Sequence, residues 1–125
     1  MKIIIVGGTG FLGYHASLEF LRRGHQVSSL ALPDIELGDW FPEEVEIIYD
    51  NVFHMSDQEM TNTFKVYDAL VYAVGPDDRV TPKAPAYQFF HERLVEACGK
   101  VVGAAREAGV KRCVVLNSYF ATMHR

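Results

Sequence analysis

The chain opens on an unbroken apolar run, Ile3-Ile4-Ile5-Val6, followed by glycines at positions 7, 8, 10 and 13. Branched apolar residues without polar alternation predict a parallel strand buried on both faces, here residues 2–6. Beyond the glycines the period changes. Leu12, Ala16 and Phe20 fall at four-residue steps, which predicts a helix over residues 11–23. Arg22 and Arg23 in its last turn and Gly24 just beyond are stop signals. The same reading places further strands at residues 27–32, 45–49, 69–74 and 113–116. It also places a weak helix near residues 56–64 and a long one from about residue 86 to 108. Residues 33–44 hold two prolines, Gly38 and Trp40, and read as loop. Strands alternating with helices predict an α/β fold: a doubly wound, Rossmann-like parallel sheet of order 3-2-1-4-5 in three αβα layers. Residues 1–125 form one domain on this reading.

A ligand in such a sheet lies outside the carboxyl ends of the strands, where the order reverses. Here that point falls between the first and fourth strands. The residues that reach it are those at 7–12, 31–34, 50–52, 73–79 and 117–122. The first group carries the strongest signal. Gly7 permits a tight turn, Gly10 lets phosphates approach the backbone, and Gly13 lets the helix pack close. The helix N-terminus adds unpaired N–H groups and a partial positive charge. Strand, glycine turn and helix together predict a pyrophosphate site, with Thr9, Phe11 and Leu12 as further contacts. A purely structural glycine turn is the simpler alternative. The complete βαβ unit of about thirty residues weighs against it.

Composition narrows the classes. A net charge of −4 argues against a nucleic-acid surface. No apolar run reaches ~18 residues, so no membrane span is expected, and the N-terminus does not read as a signal peptide. Cys98 and Cys113 form no metal-ligand spacing and read as buried free thiols of a cytoplasmic protein. The histidines share no metal spacing, and no metal is expected; His91 reads as a surface residue.

With these positions lined up, the chain resembles the extended short-chain dehydrogenase/reductase superfamily, its NAD-dependent epimerase/dehydratase group. The likeness rests on G-G-T-G-F-L-G at 7–13, Y-D-A-L-V-Y-A-V-G at 67–75, and A-A-R-E-A-G-V-K-R at 104–112 followed by C-V-V-L-N-S. It covers essentially the whole chain. The resemblance implies a bound dinucleotide and an active site of Ser/Thr plus Tyr-x-x-x-Lys, with hydride transfer at a sugar-like carbon. It implies Ala73, Val74 and Gly75, at the end of the fourth strand, as cofactor neighbours.

The chain departs from the family in several places. The acidic residue that meets the adenosine ribose is replaced by Ala31, with Asp34 the nearest carboxylate. No Arg or Lys stands there for a 2′-phosphate, which favours NAD over NADP. The family's Asp at the adenine amino group aligns with Asn51, followed by Val52; Asp50 is the alternative. After the fifth strand Tyr119 aligns with the catalytic hydroxyl, while Ser118 is one position early and Thr122 late. No tyrosine has a lysine four residues on. The expectation is therefore the N-terminal, dinucleotide-binding part of an epimerase/dehydratase-like oxidoreductase, truncated before its substrate domain and inactive as it stands. A small-molecule substrate, a sugar nucleotide, would belong to a longer chain, and an unpaired sheet edge predicts a homodimer. The rival reading is a non-catalytic, NAD(P)-binding regulatory or redox-sensing module.

Three other features read as structural. Asp77-Asp78-Arg79 suits a polar loop better than a substrate contact. Phe89, Phe90, Leu94, Val95, Cys98, Val101 and Val102 recur at helical spacing and read as core, or as a partner face where the stripe is widest. Trp40 and Phe41 read as a loop anchor rather than an adenine cap.

Overall fold

The computed structural model describes residues 1–75 and 81–117. Its elements are β1 (Lys2–Val6), α1 (Phe11–Arg22), β2 (Gln26–Ala31), β3 (Glu46–Tyr49), α2 (Asp57–Phe64), β4 (Ala69–Tyr72), α3 (Ala86–His91), a π-type turn (Glu92–Glu96), α4 (Ala97–Glu107) and β5 (Arg112–Val115). The strands form one parallel sheet of order β3-β2-β1-β4-β5, as the sequence pattern predicts. None of the described helices is long and apolar enough to cross a membrane.

Strand alternation divides the core in two. Ile4, Val6, Leu30, Leu70 and Tyr72 point to one face, against Met60 and Phe64 of α2 and Val101, Ala104 and Ala105 of α4. Ile3, Ile5, Val27, Ala69 and Val71 point to the other, against Phe41, Val45 and the Tyr14, Ala16 and Phe20 stripe of α1. Continuous branched runs in β1 are thus consumed by two helical layers at once. α2 begins with a capping box: Ser56 Oγ accepts from Glu59 N–H, and Glu59 accepts from Ser56 N–H. That pair stabilises a short helix of low hydrophobicity.

Four expectations need correction. The long helix runs unbroken from Ala86 to Glu107 but is not a regular α-helix throughout. At Glu92–Glu96 it widens, and Ala97 N–H reaches back to Glu92 O. The added residue rotates the N-terminal half by about 100° against α4. Val101 is therefore buried, while Leu94 and Val95 are exposed rather than core. The cysteines also differ from a buried pair: Cys98 is half-buried, but Cys113 is exposed because β5 is an edge strand. In the loop, Phe41 is the buried anchor. Trp40 stays 58% exposed, its ring lying against Tyr14 at 5.3 Å. His91 is half-buried, with Nδ1 3.5 Å from Glu96 Oε1.

The widened turn has a specific anchor. Tyr72, at the end of β4, is buried, and its hydroxyl donates to Arg93 O at 2.7 Å. Arg93 is held further by its guanidinium over the Phe89 ring at 3.9 Å. Burial pushes the Tyr72 phenol up to about 12. Tyr72→Phe should cost about 1 kcal/mol of stability in thermal unfolding near neutral pH, the net worth of one hydrogen bond. The alkaline behaviour gives a second readout. A raised folded-state value means the native state holds its proton more tightly, so stability falls as pH rises from the ordinary tyrosine value near ~10 towards 12. The Phe variant should show a shallower fall across that window.

Candidate functional site

A cleft of about 250 Å³ opens at the carboxyl ends of β1, β2, β3 and β4. Val6, Gly7, Thr9 and Gly10 line its centre. Ala73, Val74 and Gly75 form one side, directly after β4. Leu30, Ala31, Leu32 and Ile35 form the other, joined by Asp50, Val52 and Phe53 beyond β3.

Backbone hydrogen bonds shape the centre. Gly7 N–H donates to Leu30 O at 3.0 Å, extending β1 one residue beyond the last regular pair. Gly7 then turns with φ +81°, and Gly10 N–H closes the loop on Gly7 O at 3.2 Å. Gly10 is the N-cap of α1, in extended conformation, and Tyr14 N–H starts the helical ladder on its carbonyl at 2.8 Å. Among the described residues no side chain caps this end, and the first turn carries no acidic residue. Among the described residues the positive end of α1 thus meets no capping anion.

The glycines serve different ends. A Cβ on Gly13 would stand 2.5 Å from Gly7 O and 2.6 Å from Gly8 Cα. A Cβ on Gly8 would strike Ser29 Oγ, and one on Gly7 would lie 2.9 Å from Ala73 O. These three let backbone meet backbone or a neighbouring strand. Gly8 was not among the residues expected to matter; its close approach to β2 is visible only in three dimensions. Gly10 is unlike them. Among the described residues a Cβ there meets only Gly7 O, at 3.5 Å, and Gly10 lines the cleft.

Of the residues expected to meet a cofactor, Gly7, Thr9, Gly10, Ala31, Val52, Ala73, Val74 and Gly75 line the cleft together. Phe11 and Leu12 lie at the start of α1 and are largely exposed. Gly13 is buried beneath the loop. Asp34 is exposed and not part of the wall, where Ile35 stands instead. Asn51 is also off the wall: its Oδ1 accepts Phe53 N–H at 3.0 Å, fixing a local turn. That turn brings Phe53 to the cleft and leaves Asp50 as the lining carboxylate. Leu30, Ile35 and Phe53 were missed from sequence, whereas Leu32 lies within the 31–34 stretch expected to reach the ligand. An Asn followed two residues later by an N–H it can accept is the one local signal that pointed to Phe53. Ser118, Tyr119, Thr122 and Asp77-Asp78-Arg79 lie outside the described residues.

A protein-family model described as NAD(P)H-binding matches residues 7–125, from the glycine turn onwards. The chain belongs to the NAD(P)H-binding family. The resemblance to the NAD-dependent epimerase/dehydratase proteins is borne out by its relatives. It is 27% identical over 130 residues to a UDP-glucose 4-epimerase of Klebsiella pneumoniae, covering 94% of this chain and 89% of that protein. It is 32% identical over 114 residues to the bifunctional pinoresinol-lariciresinol reductase of Forsythia intermedia, covering 89% of this chain and 34% of that one. In structure it is similar to the UDP-glucose-4-epimerase of Stenotrophomonas maltophila with bound NAD and formylated UDP-arabinopyranose. That similarity has a TM-score of 0.80 at 19% identity and covers 96% of this chain but 38% of the epimerase. The chain thus spans little more than a third of the reductase and of the solved epimerase.

The dinucleotide that the family implies fits the residues present. Gly10 leaves room at an uncapped helix N-terminus, which suits a pyrophosphate. Apolar walls at Ala31, Leu32, Ile35, Val52 and Phe53 suit a planar base.

Proposed function

We propose that this cleft binds NAD, and that the chain is the nucleotide-binding part of an epimerase/dehydratase-like oxidoreductase. The observation that carries the reading is the N-terminus of α1 behind Gly10, uncapped by any described side chain and with no acid in its first turn, placed where the strand order reverses. Anion binding at such an end needs no side chain from the protein, only N–H groups and the helix dipole. When bound, NAD would supply the hydride acceptor; Gly7, Thr9, Gly10 and Ala73–Gly75 would position it. NAD is favoured over NADP because no Arg or Lys follows β2 at Ala31-Leu32-Pro33-Asp34. The epimerase of Stenotrophomonas maltophila holds a UDP-sugar beside its NAD, which supports a sugar nucleotide as the substrate class of the whole protein. The free cysteines suit a reducing, cytoplasmic compartment. Exposed Val114 and Val115 on edge strand β5 support self-association as a homodimer. Calorimetric titration with NAD, NADH, NADP and NADPH tests the reading directly: saturable binding of NAD at one site is the expected result, and no heat with any of the four would end it.

Catalysis is a separate matter. Ser118, Tyr119 and Thr122 are the hydroxyls that follow β5, and four residues beyond Tyr119 stands Met123 rather than the lysine the family pairs with its tyrosine. An unassisted tyrosine stays near ~10 and is a poor proton donor at neutral pH. These 125 residues with NAD are expected to turn over no UDP-glucose or UDP-galactose. Measurable interconversion, lost in Tyr119→Phe, would reverse this expectation and make Tyr119 the acid.

A further inference from the structure

Resting on the dinucleotide reading above, we propose that Asp50 is the residue that sets cofactor specificity, accepting hydrogen bonds from an unphosphorylated adenosine ribose and excluding a 2′-phosphate. A pyrophosphate at Gly10 leaves the adenosine the end of the cleft walled by Ala31, Leu32, Ile35, Val52 and Phe53. Every one of these side chains is apolar. Asp50 is the one ionised group on the described wall, and no lysine, arginine or histidine among the described residues lines it.

Dinucleotide folds usually present the ribose carboxylate from the end of the second strand. Here that position is Ala31, a methyl group, and Asp34 has turned away to solvent. The neighbouring strand end supplies the charge instead. β3 pairs with β2 up to Ala31 opposite Tyr49, and Asp50 N–H then donates to Ala31 O at 2.9 Å. This clip sets the Asp50 backbone beside the methyl group where the usual acid would begin. The carboxylate is oriented as well: its Oδ1 accepts Asn51 N–H at 2.8 Å, leaving Oδ2 for a ligand. Asn51 is off the wall, its amide oxygen turned to Phe53 N–H.

Charge decides the selectivity. Ribose hydroxyls are donors and a carboxylate is a pure acceptor, so an unphosphorylated ribose matches it. A phosphate monoester carries close to two negative charges at neutral pH and finds only another anion. Asp50 is exposed in the free protein, so water and salt weaken the effect to a moderate one.

The test is titration of wild type, Asp50→Asn and Gly10→Val with NAD and NADP at ~0.15 M salt. Wild type should bind NAD at least about tenfold more tightly than NADP, a difference of about 1.4 kcal/mol. Asp50→Asn keeps the shape, removes the charge and should weaken NAD several-fold while NADP tightens, so the two come within about threefold. Its melting temperature should match wild type, because the side chain is exposed. A wild type that binds NADP as tightly as NAD, or an Asp50→Asn variant that keeps the full NAD preference, would overturn the assignment. Loss of both cofactors in Gly10→Val, with Asp50→Asn shifting only their ratio, is the supporting pattern. If Gly10→Val binds both as wild type does, the dinucleotide reading itself has failed rather than the role of Asp50.

Discussion

Gly10→Val is expected to lower NAD affinity at least a hundredfold while leaving the protein folded. Gly10 has φ −74° and ψ 172°, a conformation any residue adopts. A Cβ there stands 3.5 Å from Gly7 O, an ordinary contact. The folded state thus tolerates the new side chain. The main stability cost is the poor N-cap behaviour of valine, about 1 kcal/mol. The ligand loses much more. Its pyrophosphate would sit where the two methyl groups now stand, against the first N–H groups of α1. Charge-assisted hydrogen bonds are worth roughly 1.5–3 kcal/mol each, so losing two exceeds a hundredfold in Kd. Calorimetry for binding and circular dichroism melting for fold separate the two effects. Wild-type affinity in this variant would place the dinucleotide elsewhere.

Gly13→Ala should do the opposite: damage the fold first and binding as a consequence. On intrinsic propensity alone the change would help, since alanine favours a helix interior over glycine by about 1 kcal/mol. Tertiary contact reverses the sign. The added Cβ would lie 2.5 Å from Gly7 O and 2.6 Å from Gly8 Cα, both backbone atoms that cannot rotate away. Relief requires α1 to lift off the loop. Gly8 cannot yield in turn, because it is packed on Ser29 of β2. Ser17 Oγ, buried, donates to Gly13 O at 2.9 Å and would be carried along. A loss of about 3 kcal/mol is expected, at the upper end for overpacking a core. Urea denaturation measures it. A variant as stable as wild type would mean that the loop adapts more freely than its contacts allow.

These two glycines show what sequence can and cannot separate. Both belong to one motif, three residues apart, and spacing alone assigns them roles only by analogy. The roles diverge because of what lies opposite each: open cleft for Gly10, the Gly7–Gly8 backbone for Gly13. The same limit holds at the end of β3. Asn51 aligns best with the residue that meets the adenine, and sequence offered Asp50 only as a neighbour one step away. The Asx turn from Asn51 to Phe53 N–H is a three-atom fact that places one side chain on the wall and removes the other.

The sheet was legible because its determinants are local and strong. Ile3-Ile4-Ile5-Val6 has no polar residue to offer to solvent, so it must lie between two layers, and the alternation with helices then leaves parallel pairing as the way to bury it. Right-handed crossovers narrowed the possible orders, and the doubly wound arrangement that goes with such a glycine turn supplied 3-2-1-4-5. The capping box at Ser56 and Glu59 was equally open to reading, and it accounts for a helix that hydrophobic period marks only weakly. The widened turn in the long helix was not. Phe89 to Val102 recurs at an unbroken helical period, so nothing in the chain marks an extra residue in the turn. Its anchor is Tyr72, distant in sequence, whose hydroxyl donates to Arg93 O once β4 has set the ring beneath the helix. Apolar period, together with the glycine turn and the crossover rule, thus determined which segments are strands and helices and how the sheet is ordered. Which side chains of those segments face the cleft depended on backbone hydrogen bonds and on atoms brought close from elsewhere in the chain, and only the tertiary structure decided that.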